Sequence, residues 1–146
     1  MNPQVSVIGA GSTAPELAAK AEKVGRLLGE NNVTLICGGG GGVMQAACRG
    51  LQQSRGGRAV GIIKEDRFEY ANDYLDTIIC TNMGEARNLA VVLSGQAVIA
   101  IGGKEGTLSE IAFAIRGCRI NRRGRAGDSF VIRHSQIAFP IPPVRC

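Results

Sequence analysis

Three short stretches carry the residue types that chemistry could use. They are Gly9-Ala10-Gly11-Ser12-Thr13, the run Gly38–Gly42, and Gly102-Gly103-Lys104-Glu105-Gly106-Thr107. Each follows an apolar run and precedes a helical pattern. Glycine lets the backbone approach a ligand closely and adopt positive φ. The helix start behind it offers unpaired N–H groups and the positive end of the helix dipole. Together these make an anion site suited to phosphate. One such turn is ordinary chain reversal. Three of them at the carboxyl ends of strands in one parallel sheet predict a shared phosphate-binding crevice. The expected binding positions are Gly9, Gly11 and Ser12 in the first turn, Gly39, Gly40 and Gly41 in the second, and Gly102, Gly103, Gly106 and Thr107 in the third.

Other sites with similar signatures do not fit. Gly9-x-Gly11-x-x-Ala14 matches a relaxed dinucleotide fingerprint, but that site needs an acidic residue after the second strand to hold a ribose. Gly38 and four further glycines stand there, and Glu30 closes a helix on the wrong side of the sheet. There is no GxxxxGK[ST] loop. The lone His134 lies in an unusual C-terminal stretch, so neither a histidine-based triad nor a histidine-bearing metal site can be built, and no metal site is expected. Cys37, Cys48, Cys80, Cys118 and Cys146 have no redox or metal-knuckle spacing. They read as small core residues in a reducing compartment. Met44 and Met83 read as packing residues.

The elements that must position the turns follow from periodicity. Val5–Ile8, Val33–Cys37, Ala59–Ile63, Thr77–Cys80 and Ala97–Ile101 are read as strands, the first of them buried, and most are continuous apolar runs, as expected under helices on both faces. Helices are predicted from about 14 to 30, then through Val43, Ala47 and Leu51, through Ala86, Leu89 and Leu93, and from 107 to 116. Thr13-x-x-Glu16, Asn82-x-x-Glu85 and Thr107-x-x-Glu110 look like capping boxes, and Pro15 suits a first helical turn. Residues 64–76 read as a long polar loop. The alternation predicts an α/β, doubly wound, mostly parallel Rossmann-like sheet with helices on both faces.

Charge divides the chain. Residues 1–115 carry ten Lys/Arg against eleven Asp/Glu, whereas 116–146 carry seven Arg and one Asp. The reading is therefore a domain over 1–116 and a basic, proline-containing tail over 117–146, expected to be atypical or disordered, with one weak strand at Phe130–Arg133. A near-neutral body with few aromatics makes nucleic acid an unfavoured main partner. No apolar stretch approaches the ~20 residues of a membrane span, so a cytoplasmic location is expected.

The stretch Met83-Gly84-Glu85-Ala86-Arg87-Asn88, then Ile101-Gly102-Gly103-Lys104-Glu105-Gly106-Thr107-Leu108-Ser109-Glu110, together with Gly38–Val43, resembles the Lonely guy/lysine-decarboxylase-like Rossmann superfamily. It is most similar there to molybdenum cofactor carrier-like proteins. The resemblance covers roughly residues 4–115. It implies a homodimer or homotetramer and a small phosphorylated ligand over the glycine turns, with molybdenum cofactor as a cargo and no cofactor required. In the cytokinin-activating members, an Arg and a Glu at the positions of Arg87 and Glu110 cleave the N-glycosidic bond of nucleoside 5′-monophosphates. Arg87 would hold phosphate or ribose, and Glu110 would orient water and stabilise a sugar cation. Two departures count against that activity. Arg87-Asn88 stands where the hydrolases have Arg-Lys, and Lys104 takes a glycine position of their Pro-Gly-Gly-x-Gly-Thr turn. A binding or carrier protein therefore leads, a phosphoribohydrolase follows, and single-stranded DNA binding through the arginine tail comes third.

Overall fold

A computed structural model describes residues 2–103, 105–120 and 131–132. The chain runs β1 (Gln4–Gly9), α1 (Pro15–Glu30), β2 (Thr34–Cys37), α2 (Gly42–Gln52), β3 (Arg58–Ile63), a 3₁₀ turn (Phe68–Tyr70) and β4 (Thr77–Cys80). A second 3₁₀ turn (Gly84–Ala86) leads into α3 (Arg87–Ser94), β5 (Ala97–Ile101), α4 (Glu105–Ile120) and β6 (Val131–Ile132). The strands form one sheet in the order β4-β3-β2-β1-β5-β6, every pairing parallel. The predicted doubly wound architecture is what the molecule has.

Alternate side chains of the strands feed two cores. Val7, Leu35, Cys37, Ile99 and Ile101 pack under α1 and α2 with Ala21, Val43, Ala47 and Leu51. Ile8, Ile36, Ile62, Val98 and Ala100 pack under α3 with Val91 and Val92, and Ile111 and Ala114 of α4 join them. Buried on both faces, the central strands have no polar side to show, which is why they read as unbroken apolar runs. Ser6 is the buried polar exception, and its hydroxyl donates to the Val91 carbonyl at 2.6 Å. Helices α1 and α2 cross closely. A Cβ on Gly25 would run into the Ala47 carbonyl, and one on Gly50 into the Glu22 carbonyl. Arg49 seals the crossing by donating to Glu22 at 2.6 Å.

The three capping boxes do not form. Ala14, not Thr13, caps α1, and the Thr13 hydroxyl is buried without a hydrogen-bond partner. Pro15 holds the residue before it in extended conformation, which moves the cap forward by one. Asn82 has φ 51° and donates its N–H to Glu65, while Glu85 turns to Lys64 and Asn88. Gly102 and Gly103, at φ 58° and 137°, turn the chain so sharply that α4 starts at Glu105. Thr107 is then the third helical residue, and Glu110 lies too far along to cap. Helix α4 also continues past the expected end at 116 to Ile120. The weak strand expected at Phe130–Arg133 corresponds to β6. Lys104 and the remainder of the expected tail, 121–130 and 133–146, lie outside the described residues.

Candidate functional site

The chain builds β1 to β4 outward in one direction and then places β5 on the other side of β1. At such a reversal the loops leaving neighbouring strands diverge to opposite faces and open a crevice at the carboxyl edge. A cleft of about 300 Å³ lies there. Its lining comes from the turns after β1 (Gly9, Ala10, Gly11, Ser12), β2 (Gly38, Gly40) and β3 (Lys64, Glu65), from Met44, Tyr70 and Glu85, from α3 (Arg87, Asn88), and from the start of α4 (Gly106, Thr107, Glu110).

Of the sequence-predicted positions, Gly9, Gly11, Ser12, Gly40, Arg87, Gly106, Thr107 and Glu110 are brought together. Gly39, Gly41, Gly102 and Gly103 are not in the lining, and each has a structural task instead. Gly39 sits at φ 72° and its carbonyl accepts from Asn72. Gly41 packs on the Gly11 carbonyl. Gly103 leaves room for the Thr107 side chain. The second amide of α2 is also spoken for, since Val43 N–H donates to the Ala10 carbonyl at 3.0 Å, stitching the first two turns together. Met44 packs against the core and also borders the cleft, whereas Met83 is exposed rather than packed.

Arg87 is the first residue of α3 and only 8% exposed. The 3₁₀ turn before it, with Gly84 at φ 54°, delivers it into the cleft. Its guanidinium lies against Gly38, where a Cβ would come within 2.7 Å of Nη2 and 2.8 Å of Cζ. Glycine at 38 is thus the space the guanidinium occupies, a role invisible in a run of five glycines. Arg87 Nη1 stands 3.8 Å from Glu110 Oε1, beyond hydrogen-bond distance. Its Nε is buried with no hydrogen-bond partner among the described residues. Glu110 is 7% exposed. Burial pushes its carboxyl up to about 7, against the pull of Arg87 and with a small push from Glu85. A guanidinium with unmade hydrogen bonds beside a reluctant carboxylate is an arrangement an anionic ligand would complete.

The rim carries further charge. Lys64 Nζ lies 3.1 Å from Glu85 Oε1 and holds that carboxyl below its ordinary range, and Asn88 adds a bond to Oε2. Below the second turn, Cys37 and Cys48 face each other at 3.7 Å between sulfurs, both buried, and Gly39 N–H donates to Cys37 Sγ. Their contact and burial push the Cys48 thiol up. Sequence reasoning missed Lys64, Glu65, Tyr70, Glu85 and Asn88 as lining. The first three sit in a loop with no periodicity, and the last two were visible only as part of the Glu85–Asn88 motif. Among the described residues no group of three or more His, Cys, Asp or Glu is placed to hold a metal ion, and no helix is long and apolar enough to cross a membrane.

Residues 2–120 match the model of the SLOG cluster4 family. A protein of Archaeoglobus fulgidus, described as uncharacterized, is 44% identical over 113 residues, which is 77% of this chain and 74% of that protein. The molybdenum cofactor binding protein from the phototrophic bacterium Rippkaea orientalis superposes with a TM-score of 0.77 at 34% identity, covering 80% of this chain and 72% of that one. The Moco carrier protein from Chlamydomonas reinhardtii superposes with a TM-score of 0.76 at 26% identity, covering 92% and 76%.

Proposed function

The chain belongs to the SLOG cluster4 family, and on that footing we propose that it is a binding or carrier protein for a phosphorylated, nucleotide-like ligand. The observation that carries this reading is the Arg87 guanidinium, buried with an unpartnered Nε in a cleft lined by glycine turns that precede helices. Backbone N–H groups of the turns and the start of α4 would take up the phosphate, and Arg87 would add a charge-assisted bond. Molybdenum cofactor is the cargo that the two solved relatives favour, since it carries a phosphate and a pterin ring. The test is thermal shift and calorimetry with AMP, inorganic phosphate and a pterin monophosphate. Saturating ligand should stabilise the protein by a few kcal/mol, following RT ln(1 + [L]/Kd). Arg87→Ala should weaken binding by about a hundredfold, the worth of charged hydrogen bonds in a dry site. Unchanged phosphate affinity in that variant would overturn the reading.

A second reading, a nucleoside 5′-monophosphate phosphoribohydrolase, is favoured by Glu110 standing beside Arg87 within the cleft. It needs Glu110 ionised, so activity should rise as pH passes about 7. Release of adenine and ribose 5-phosphate from AMP, lost in Glu110→Ala and Arg87→Ala, would establish it. AMP binding without release leaves the carrier reading standing.

Leu89 and Leu93 of α3 and Leu108 and Ile115 of α4 are exposed. We read them as the contact face for further copies of the chain, giving a homodimer or homotetramer. Light scattering should then find a smaller species for Leu93→Lys than for the parent. The free, buried Cys37 and Cys48 suit a reducing cytoplasm.

A further inference from the structure

The loop between β3 and β4 is anchored unusually. Asn72 is buried, its N–H donates to the Gly39 carbonyl at 2.8 Å, and its Nδ2 donates to the carbonyls of Gly39 and Gly40 at 3.1 and 3.0 Å. Its Oδ1 accepts the Tyr74 N–H at 3.1 Å. The flanking segments are tied as well, because Asn82 and Gly84 donate to the carbonyls of Glu65 and Lys64. Polar bonds fix this loop against the second glycine turn and against the turn that delivers Arg87. Of its three aromatic residues, Tyr74 packs against the core and the other two are left over. Phe68 is 65% exposed and Tyr70 60% exposed on one three-residue turn, in a chain with only four Phe and two Tyr. Tyr70 borders the cleft. Aromatic rings normally anchor a loop by burial; here Tyr74 and the Asn72 amide do that, while a further ring stands free at the mouth of a site.

The sheet order gives the distance this ring covers. The loop after β3 and the start of α4 after β5 are separated by three strand spacings, β3-β2-β1-β5, or roughly 14 Å at the usual inter-strand distance. A phosphate held between Gly11, Arg87 and the start of α4 leaves the side of the cleft that Tyr70 borders unfilled, and a phosphorylated molecule with a ring at its far end would span the two. Lys64 and Glu65 beside Tyr70 supply both donor and acceptor capacity for the edge of such a ring.

We propose that Tyr70 is the stacking face for a planar heteroaromatic ring whose phosphate end is held at the glycine turns. The assignment rests on the anion reading above and adds a specificity determinant to it. Ring and phosphate are read by separate loops, so each can be removed separately. The test is calorimetry on the full chain with ribose 5-phosphate, AMP and a pterin monophosphate. At least one ringed probe should bind about tenfold more tightly than ribose 5-phosphate, the usual worth of base–aromatic stacking. Tyr70→Ala should erase that gain while leaving ribose 5-phosphate affinity and the melting temperature unchanged, and Tyr70→Phe should keep it. The AMP and pterin arms distinguish a purine from a pterin occupant, and a Tyr70-dependent gain with either supports the proposal. No gain with either ring overturns it, as does a Tyr70→Ala variant that weakens ribose 5-phosphate equally. The anion reading fails on a different result, the lack of any ribose 5-phosphate binding that Arg87→Ala removes, and the stacking assignment then falls with it.

Discussion

On one face of the sheet, Arg49 meets Glu22 at 2.6 Å through Nη2 and at 3.2 Å through Nε, and Gln53 satisfies the other carboxylate oxygen at 2.6 Å. On the other face, Arg87 stands 3.8 Å from Glu110, both side chains nearly buried, with the arginine Nε unmatched. The residue types are the same and the settings opposite. The first pair closes a helix crossing that glycines have already made tight; its side chains stay partly exposed, and both oxygens of its carboxylate accept hydrogen bonds. Arg49 and Gln53 hold the Glu22 carboxyl below its ordinary range. The second pair is withdrawn from water and left loose, and burial drives the Glu110 carboxyl up instead. An incomplete buried pair is costly unless something else completes it. The contrast separates the face that closes a helix crossing from the face where a ligand is proposed to bind.

The sharpest way to break this comparison is through the crossing. Gly25→Ala would drive a Cβ into the Ala47 backbone. It should lower unfolding free energy by about 3 kcal/mol or more, since backbone must move to admit it. Chemical denaturation measures this, and a loss below about 1 kcal/mol would mean the two helices are not pressed together as described. Ligand affinity of the folded fraction should be unchanged.

Next comes the loose pair. Glu110 has a folded-state pKa of about 7 against an ordinary 4.5. An acid raised on folding binds more protons native than unfolded between those values, so its ionisation costs stability progressively from pH 4.5 upward, fully above about 7. At ~1.4 kcal/mol per pH unit this amounts to roughly 3 kcal/mol at most. Glu110→Gln should therefore be more stable than the parent at pH 8, and the advantage should shrink by pH 4.5. Urea titrations at the two pH values decide it, and a pH-independent difference would remove the buried-carboxyl account.

The smaller effects sharpen the contrast. Gly106 lines the cleft inside α4, and a Cβ there would meet nothing within 4 Å. Gly106→Ala should raise stability by up to about 1 kcal/mol, because alanine is the better helix former. It should also weaken phosphate binding by taking space the ligand needs. Gain on both counts would show that the anion lies elsewhere. Smallest of all, a double-mutant cycle on the part-exposed Glu22 and Arg49 should return a modest coupling of about 0.5–1 kcal/mol and should leave ligand affinity untouched.

Much of this was legible in the residues. The strand Ala97–Ile101 falls where its apolar run places it, because a strand buried on both faces writes itself as consecutive apolar residues, whereas Thr77–Cys80 keeps its expected bounds as a half-exposed edge strand. The meeting of the turns at one edge was expected from their place at the carboxyl ends of strands in one parallel sheet, and Arg87 and Glu110 entered through the motif around them. Other features depend on geometry that side-chain identity does not encode. Gly38 matters because a guanidinium from a helix 49 positions later in the chain occupies its missing Cβ. The Asn72 clamp and Tyr70 lie in an aperiodic segment whose order comes from hydrogen bonds to a distant loop. The capping boxes failed because Pro15, the positive φ of Asn82 and the Gly102–Gly103 turn each shifted where a helix begins.

The bond from Val43 N–H to the Ala10 carbonyl has a kinetic consequence. It locks the loop after β1 to the start of α2, so two of the three glycine turns behave as a single stiff body before anything arrives. A ligand meeting that half of the cleft has no loop to freeze and forfeits little conformational entropy on docking. Association on that side should run at a rate set by encounter and orientation rather than by rearrangement of the protein.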